Sequence, residues 1–301
     1  MSCSVSGEHI GWLEASLNDW HRVKRQALKL RDSPRPLMIL FDEKCSVSLE
    51  PGKSLRAMRA EPHKGIVALP GSRSVPAQLI TFAATYEVHG GKLPFFVFSL
   101  PSVWKAAPHL ANEPNVDTLI GSVFIHEMTH TLHGSFHSWL DEHEKLLASD
   151  EQLDDDIIQK RFEKNDAFRD SVKSETDFLY LAAIAPSKAD SRSQARRALT
   201  MIEKRRKTSL AGRQNAVYAE LEDVFLTMEG VANWAAYKAA LNKGFDRQKA
   251  LDLIRRGGKY WSQDQGLAIF LVIDRLLPGW QKRAFAPKAA TALELLADAV
   301  E

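Results

Sequence analysis

Ser122-Val123-Phe124-Ile125-His126-Glu127-Met128-Thr129-His130 is the stretch on which the reading of this chain turns. On an α-helix, residues four apart project from one face, because a turn takes about 3.6 residues. His126 and His130 can therefore each offer an imidazole nitrogen to one ion. Glu127 points to the side, near enough to reach a water held there without being a ligand. Two histidines and a glutamate also fall in this order by chance, and the neighbours separate the two cases. Phe124-Ile125 before and Thr131-Leu132 after make the helix largely apolar. Polar groups buried in such a helix cost several kcal/mol each unless they are paired or bound. The pattern is therefore that of a divalent-metal hydrolase, with zinc the usual ion. A plain helix with surface histidines is the competing reading.

Upstream of the motif the pattern is β-like. Leu37–Phe41 is a short apolar run that predicts a buried strand, with Val47–Leu49 continuing it after a bend. Gly65–Leu69 is a further candidate, stopped by Pro70-Gly71. Leu79–Val88 and Leu93–Leu100 flank His89-Gly90-Gly91-Lys92, which predicts a hairpin. Pro94 cannot donate to a ladder, so the second arm reads as an edge strand. Before the strands, Ile10, Leu13, Leu17, Trp20, Val23 and Leu28 recur at helical spacing, and Ser33-Pro34-Arg35-Pro36 ends that helix. Pro101–Pro114 reads as a loop containing Trp104. Asn115 or Asp117 caps the motif helix, expected over roughly 117–133, and Gly134 terminates it.

Downstream the chain turns helical and highly charged. Residues 138–216 read as two or three helices with large solvated faces, including Asp154-Asp155-Asp156 and Lys204-Arg205-Arg206-Lys207. Their one strongly apolar piece is Phe178–Ala185. Residues 215–242 form a long apolar helical pattern, followed by helices around 246–254, 265–277 and 288–300. The fold class is accordingly α+β, mostly helical, with a small N-terminal mixed or antiparallel sheet and a hairpin above the motif helix.

A chain of 301 residues, 45% hydrophobic and 26% charged, can bury a sizeable core as an ordinary globular protein. The net charge of +2 gives no sign of a nucleic-acid partner. No run of about 18 apolar residues predicts a membrane span. The N-terminus lacks a basic region followed by an apolar core, so the chain as it stands is expected in the cytoplasm, or exported if a leader has been removed. Cys3 and Cys45 read equally as free thiols or as one bridge tying down the N-terminus. Oligomeric state is not legible.

A catalytic zinc normally has three protein ligands, so one must come from beyond the two histidines. Gly134 and His137 each fall one residue late for an H-E-x-x-H-x-x-G-x-x-H pattern, whose last two slots hold His133 and Phe136. A one-residue shift turns a helical position by about 100°, so local hydrogen bonding suits His133 and His137 better. Glu229, in Met228-Glu229-Gly230-Val231-Ala232-Asn233-Trp234, lies in an apolar, small-residue helix that another helix can approach closely. Glu222, one heptad earlier on nearly the same face, is the alternative, either as ligand or as a carboxylate orienting a ligating histidine.

His126-Glu127-Met128-Thr129-His130 followed by Glu229-Gly-Val-Ala-Asn-Trp234 resembles the gluzincin branch of the zincin metallopeptidases. The resemblance implies a zincin-like fold, with Zn2+ held by His126, His130 and Glu229 and with Glu127 as general base. It implies a peptide or protein substrate. Tyr260-Trp-Ser-Gln-Asp-Gln-Gly266 is similar to a tyrosine-then-glycine pattern after the Glu helix in such families, which implies Tyr260 as donor to the oxyanion. One metallopeptidase-like domain over 1–301 is then expected: a sheet-bearing part to 137, a charged helical insertion over 138–216, and a helical part from 217 carrying the third ligand. The alternatives are a metal-dependent hydrolase of a non-peptide amide or ester, and a zincin-fold protein that binds metal or a partner without turnover. The strand Phe95–Leu100 is expected to accept an extended peptide by backbone pairing.

Overall fold

The structure, a computed structural model, describes residues 3–31, 35–147, 151–212 and 215–301. It is α+β and mainly helical, and no described helix is long and apolar enough to cross a membrane. Its contacts divide the chain into two units: residues 1–134 with 235–250, and residues 135–234 with 251–301.

The first unit is built on a mixed five-stranded sheet. Helix α1, Gly7–Gln26, begins where the Ser6 hydroxyl accepts from the His9 amide, and it buries Leu13, Leu17, Trp20 and Val23. It ends at Gln26, short of the stop expected at Ser33-Pro34-Arg35-Pro36, of which Ser33 and Pro34 lie outside the described residues. Strands β1 (Leu37–Phe41), β2 (Cys45–Leu49), β3 (Arg59–Pro62), β4 (Ile66–Leu69), β5 (Arg73–Pro76), β6 (Thr81–Val88) and β7 (Gly91–Ser99) follow. The main sheet has the order β3-β2-β1-β7-β6, and β4 pairs with β5 as a separate hairpin. All pairings are antiparallel except β1 with β7. The hairpin at Gly90-Gly91 is present, both glycines at positive φ. Cys3 and Cys45 form a disulfide, with Cα atoms 5.9 Å apart.

Strand β7 is not an edge strand. It lies between β1 and β6, and β6 takes the edge. Pro94 is tolerated because pairing with β1 starts one residue later, at Leu37 with Phe95. The backbone of Phe95–Ser99 is therefore occupied on both sides and cannot accept a substrate strand there.

Both faces of β1 and β7 are buried, which explains their unbroken apolar runs. Leu37, Ile39, Phe41, Phe95 and Val97 pack with Val67 of the β4–β5 hairpin. Phe96 and Phe98, on the opposite face, meet Phe124 of the motif helix. The segment after β7 is not all loop: Pro101–Ala106 forms the short helix α2, with Pro101 at its start.

The motif helix α3 (Val116–His130) closes the N-terminal part of the first unit. The second unit is helical: α4 (Gly134–His143), α5 (Ile157–Phe162), α6 (Asp166–Ile184), α7 (Lys188–Ser209), most of α8 (Ala216–Asn242), the end of α9 (Arg247–Arg255) from Leu251 on, α10 (Trp261–Leu276), α11 (Gln281–Ala284) and α12 (Ala292–Val300). Residues 216–234 of α8 count in this unit, and 235–242 in the first. Its core joins Phe136, Leu140, Ile157, Phe168 and Val172 to Leu221, Val224, Phe225 and Met228 of α8. Helix α6 packs on α7 and α10. The charged segment is thus not simply solvated. Within Lys204–Lys207, Arg205 is 3% exposed.

Candidate metal centre

The motif helix α3 is fixed to the sheet of its unit by aromatic packing. Phe124 is fully buried, and its ring meets Phe96 edge-on at 5.2 Å, Phe98 at 5.6 Å and Trp12 at 5.5 Å. Asn115 takes the N-cap position without a side-chain cap bond, and Asp117 pairs with Lys105 at 2.9 Å. The helix ends at His130, earlier than Gly134. Thr131 donates its hydroxyl to the Met128 carbonyl, and the Leu132 and His133 amides close a tight last turn. Gly134 opens α4 instead.

That early stop leaves both motif histidines in the last two turns of α3. Their Nε2 atoms lie 2.9 Å apart, with the rings at 79° to one another. His130 is buried and His126 half-buried. Glu229, 6% exposed, offers a carboxylate oxygen. One ligand atom from each of His126, His130 and Glu229 lies within 4.8 Å of the others, and among the described residues these three alone form such a group.

The donor set is two imidazole nitrogens and one carboxylate oxygen, which suits zinc with a further position open. Tetrahedral zinc with bonds of about 2.0–2.1 Å places ligand atoms about 3.3 Å apart. The two Nε2 atoms are within a few tenths of an ångström of that separation. The residues therefore fit the ion.

Glu229 is held in its own unit by contacts that depend on its neighbours. A Cβ on Gly230 would lie 2.6 Å from the Gly266 carbonyl oxygen, and one on Gly266 would lie 2.7 Å from the Leu226 carbonyl oxygen. Helices α8 and α10 therefore touch backbone to backbone beside Glu229, the close approach that Gly230 signals in the sequence. One turn on, the Asn233 side-chain amide donates to the Gln263 carbonyl at 3.2 Å. Thr227 accepts from the Ala292 amide at 2.7 Å, and Asp223 from the Leu293 amide at 3.3 Å, so α8 side chains satisfy first-turn amides of α12.

Glu222 is not free to ligate. Arg205 Nη1 donates to it at 2.7 Å, and Arg206 lies 3.6 Å away. His133 is buried, with its ring 5.6 Å from that of His130, and His137 lies in α4. None of the three joins the ligand group. Tyr260 takes the N-cap position of α10, half-buried, with the Lys259 ammonium 4.9 Å over its ring.

Sequence reasoning passed over Asp156. Burial, then Asp154, then Glu229 push its carboxyl above the usual carboxylate range, against Lys160 and Lys259. Its Oδ1 is buried without a hydrogen-bond partner among the described residues. The signal available was the Asp154–Asp156 run, which resembles a solvated turn until the fold brings it near Glu229. Compared with known protein families, curated proteins and solved structures, the chain matches none.

Proposed function

We propose that this chain is a zinc-dependent metallopeptidase of zincin-like fold, hydrolysing peptide bonds in a peptide or protein substrate. The observation that carries the reading is that one ligand atom each of His126, His130 and Glu229 lies within 4.8 Å of the others, with Glu127 next to His126 on its helix. His126 and His130 would hold Zn2+ through Nε2, and Glu229 through its carboxylate. When bound, the ion supplies Lewis-acid polarisation of water and of a substrate carbonyl.

The chain's own residues do the rest. Glu127 follows His126, about 100° round the helix, so its carboxylate serves as base beside the ion rather than as a ligand to it. It removes a proton from the attacking water and delivers it to the leaving amine, which needs one acceptor that changes state twice. Tyr260 is the proposed donor to the developing oxyanion. Its support is that α10 starts beside α8, through the Asn233–Gln263 bond one turn beyond Glu229.

The test is Glu127→Gln, assayed with casein and a peptide library together with metal analysis. Cleavage is expected to be chelator-sensitive in the wild type. In the variant it should fall by about 10²–10⁴-fold with zinc retained, the usual contribution of a general base. Undiminished cleavage by the variant would sink the assignment.

A further inference from the structure

Seven residues before Glu229, the same helix is gripped by a buried ionic node. Arg205 of α7 donates through Nε and Nη2 to both oxygens of Glu175 on α6, at 2.8 and 2.9 Å. Through Nη1 it donates to Glu222 of α8 at 2.7 Å. Gln265 of α10 donates to Glu175 at 2.9 Å, and the Ser171 hydroxyl does so at 2.8 Å. The Arg205 guanidinium also lies 4.6 Å over the Phe168 ring. Exposure of the Arg205, Glu175 and Glu222 side chains is 2%, 0% and 5%.

A buried ion pair is a poor way to gain stability, since apolar residues of like volume serve as well or better. What a planar, bidentate fork adds is direction. Residues seven apart on a helix differ in azimuth by only about 20°, whereas a slip of one residue turns a side chain by about 100°. Fixing Glu222 therefore fixes the heading of Glu229. Gln265 and Gly266 tie α10 to the same two places, the node and the backbone beside Glu229.

We infer that Arg205 is a positioning residue for the metal centre: its fork on Glu175 and Glu222 sets the rotation of α8 and with it the heading of Glu229. The inference rests on Glu229 being a ligand. It assigns a role to the charged helices between the two halves of the metal-binding pattern.

The experiment measures Zn2+ affinity and the visible absorption of the Co2+-substituted full-length protein. The main variant is Glu175→Met with Arg205→Met. It replaces a matched pair, touches no ligand, and leaves Glu222 with Arg206. With its melting temperature near that of the wild type, it is expected to bind Zn2+ at least about ten-fold more weakly, as loss of an outer support typically does, with an altered Co2+ spectrum. Arg205→Lys keeps the charge without the fork, and is expected to fall between the two. It serves alone if the double variant fails to fold. Wild-type affinity and spectrum in either folded variant would overturn the inference. Glu229→Gln keeps the two failures apart. If it too binds like the wild type, the metal reading itself is wrong. If it loses the metal while the Arg205 variants do not, only the positioning role is.

Discussion

The two helices that supply the candidate ligands are held by opposite means. Helix α3 is held by apolar surface: Phe124 among Phe96, Phe98 and Trp12, with Ile120, Ile125 and Met128 buried around it. Such contacts are non-directional and accept changes of shape at constant volume. Helix α8 is held around Glu229 by directional or volumeless contacts: the Arg205 fork on Glu222, the Gly230–Gly266 backbone contact, and side chains that satisfy the start of α12. The difference follows from what each helix must control. Two histidines four apart are aligned by helix geometry itself. A glutamate alone on its helix is not aligned with a second ligand by that helix's geometry, so on the proposed reading its heading is set from other helices.

The sharpest way to break this comparison is to remove the charge that α8 depends on. Arg205→Met alone leaves Glu175 buried without a cation and Glu222 with only Arg206 at 3.6 Å. Unfolding by urea is expected to show a loss of about 3–5 kcal/mol, the typical cost of breaking a buried pair from one side. The double variant with Glu175→Met should recover most of it. If the single variant loses under about 1 kcal/mol, the node behaves as a surface pair and its directing role has no basis.

A smaller effect compares the two helices directly. Gly230→Ala pushes a Cβ to 2.6 Å from a backbone oxygen, where no side chain can give way. It should cost about 1–3 kcal/mol as overpacking and weaken metal binding as α8 shifts. Phe124→Leu, an apolar replacement in the core that holds α3, should cost a similar amount with metal affinity nearly unchanged. Paired thermal melts and zinc titrations check both. Equal damage to metal binding in the two variants would erase the distinction between the helices.

This contrast also accounts for what was legible in the sequence. Periodicity exposed α1, α3, α8 and the strands β1, β6 and β7, since each buries a face or both faces in a regular pattern. It also singled out the three residues whose ligand atoms lie together, because a motif and a glutamate beside Gly230 in an apolar helix are local signals. The place of β7 was hidden. Its parallel partner β1 lies more than fifty residues earlier, and Pro94 suggests an edge unless that register is known. Arg205 was hidden inside a run of four cations, and such a run reads from sequence as solvated surface. Asp156 was hidden in a run of acids for the same reason. Whether Cys3 and Cys45 pair depends on where β2 runs, and sequence does not show that.

The smallest expected effect probes how far the polar support of α8 extends. Asp223 accepts from the Leu293 amide, and burial pushes its carboxyl above the ordinary range, with Glu222 adding to the shift against Arg206, Thr291 and the Leu293 amide. A carboxyl with a raised folded-state pKa holds its proton more tightly folded than unfolded. Its contribution to stability is fully present below the unfolded value of about 3.8 and is lost as pH rises through the folded one. Asp223→Asn removes the titration and keeps an oxygen to accept the amide. Relative to the wild type it should therefore fare worst near pH 4 and draw level or ahead at pH 7. Urea unfolding at the two pH values reads this. The reverse sign would mean that the amides and Arg206 outweigh burial at Asp223, and that α12 is fastened to α8 by a carboxylate charged in the folded protein.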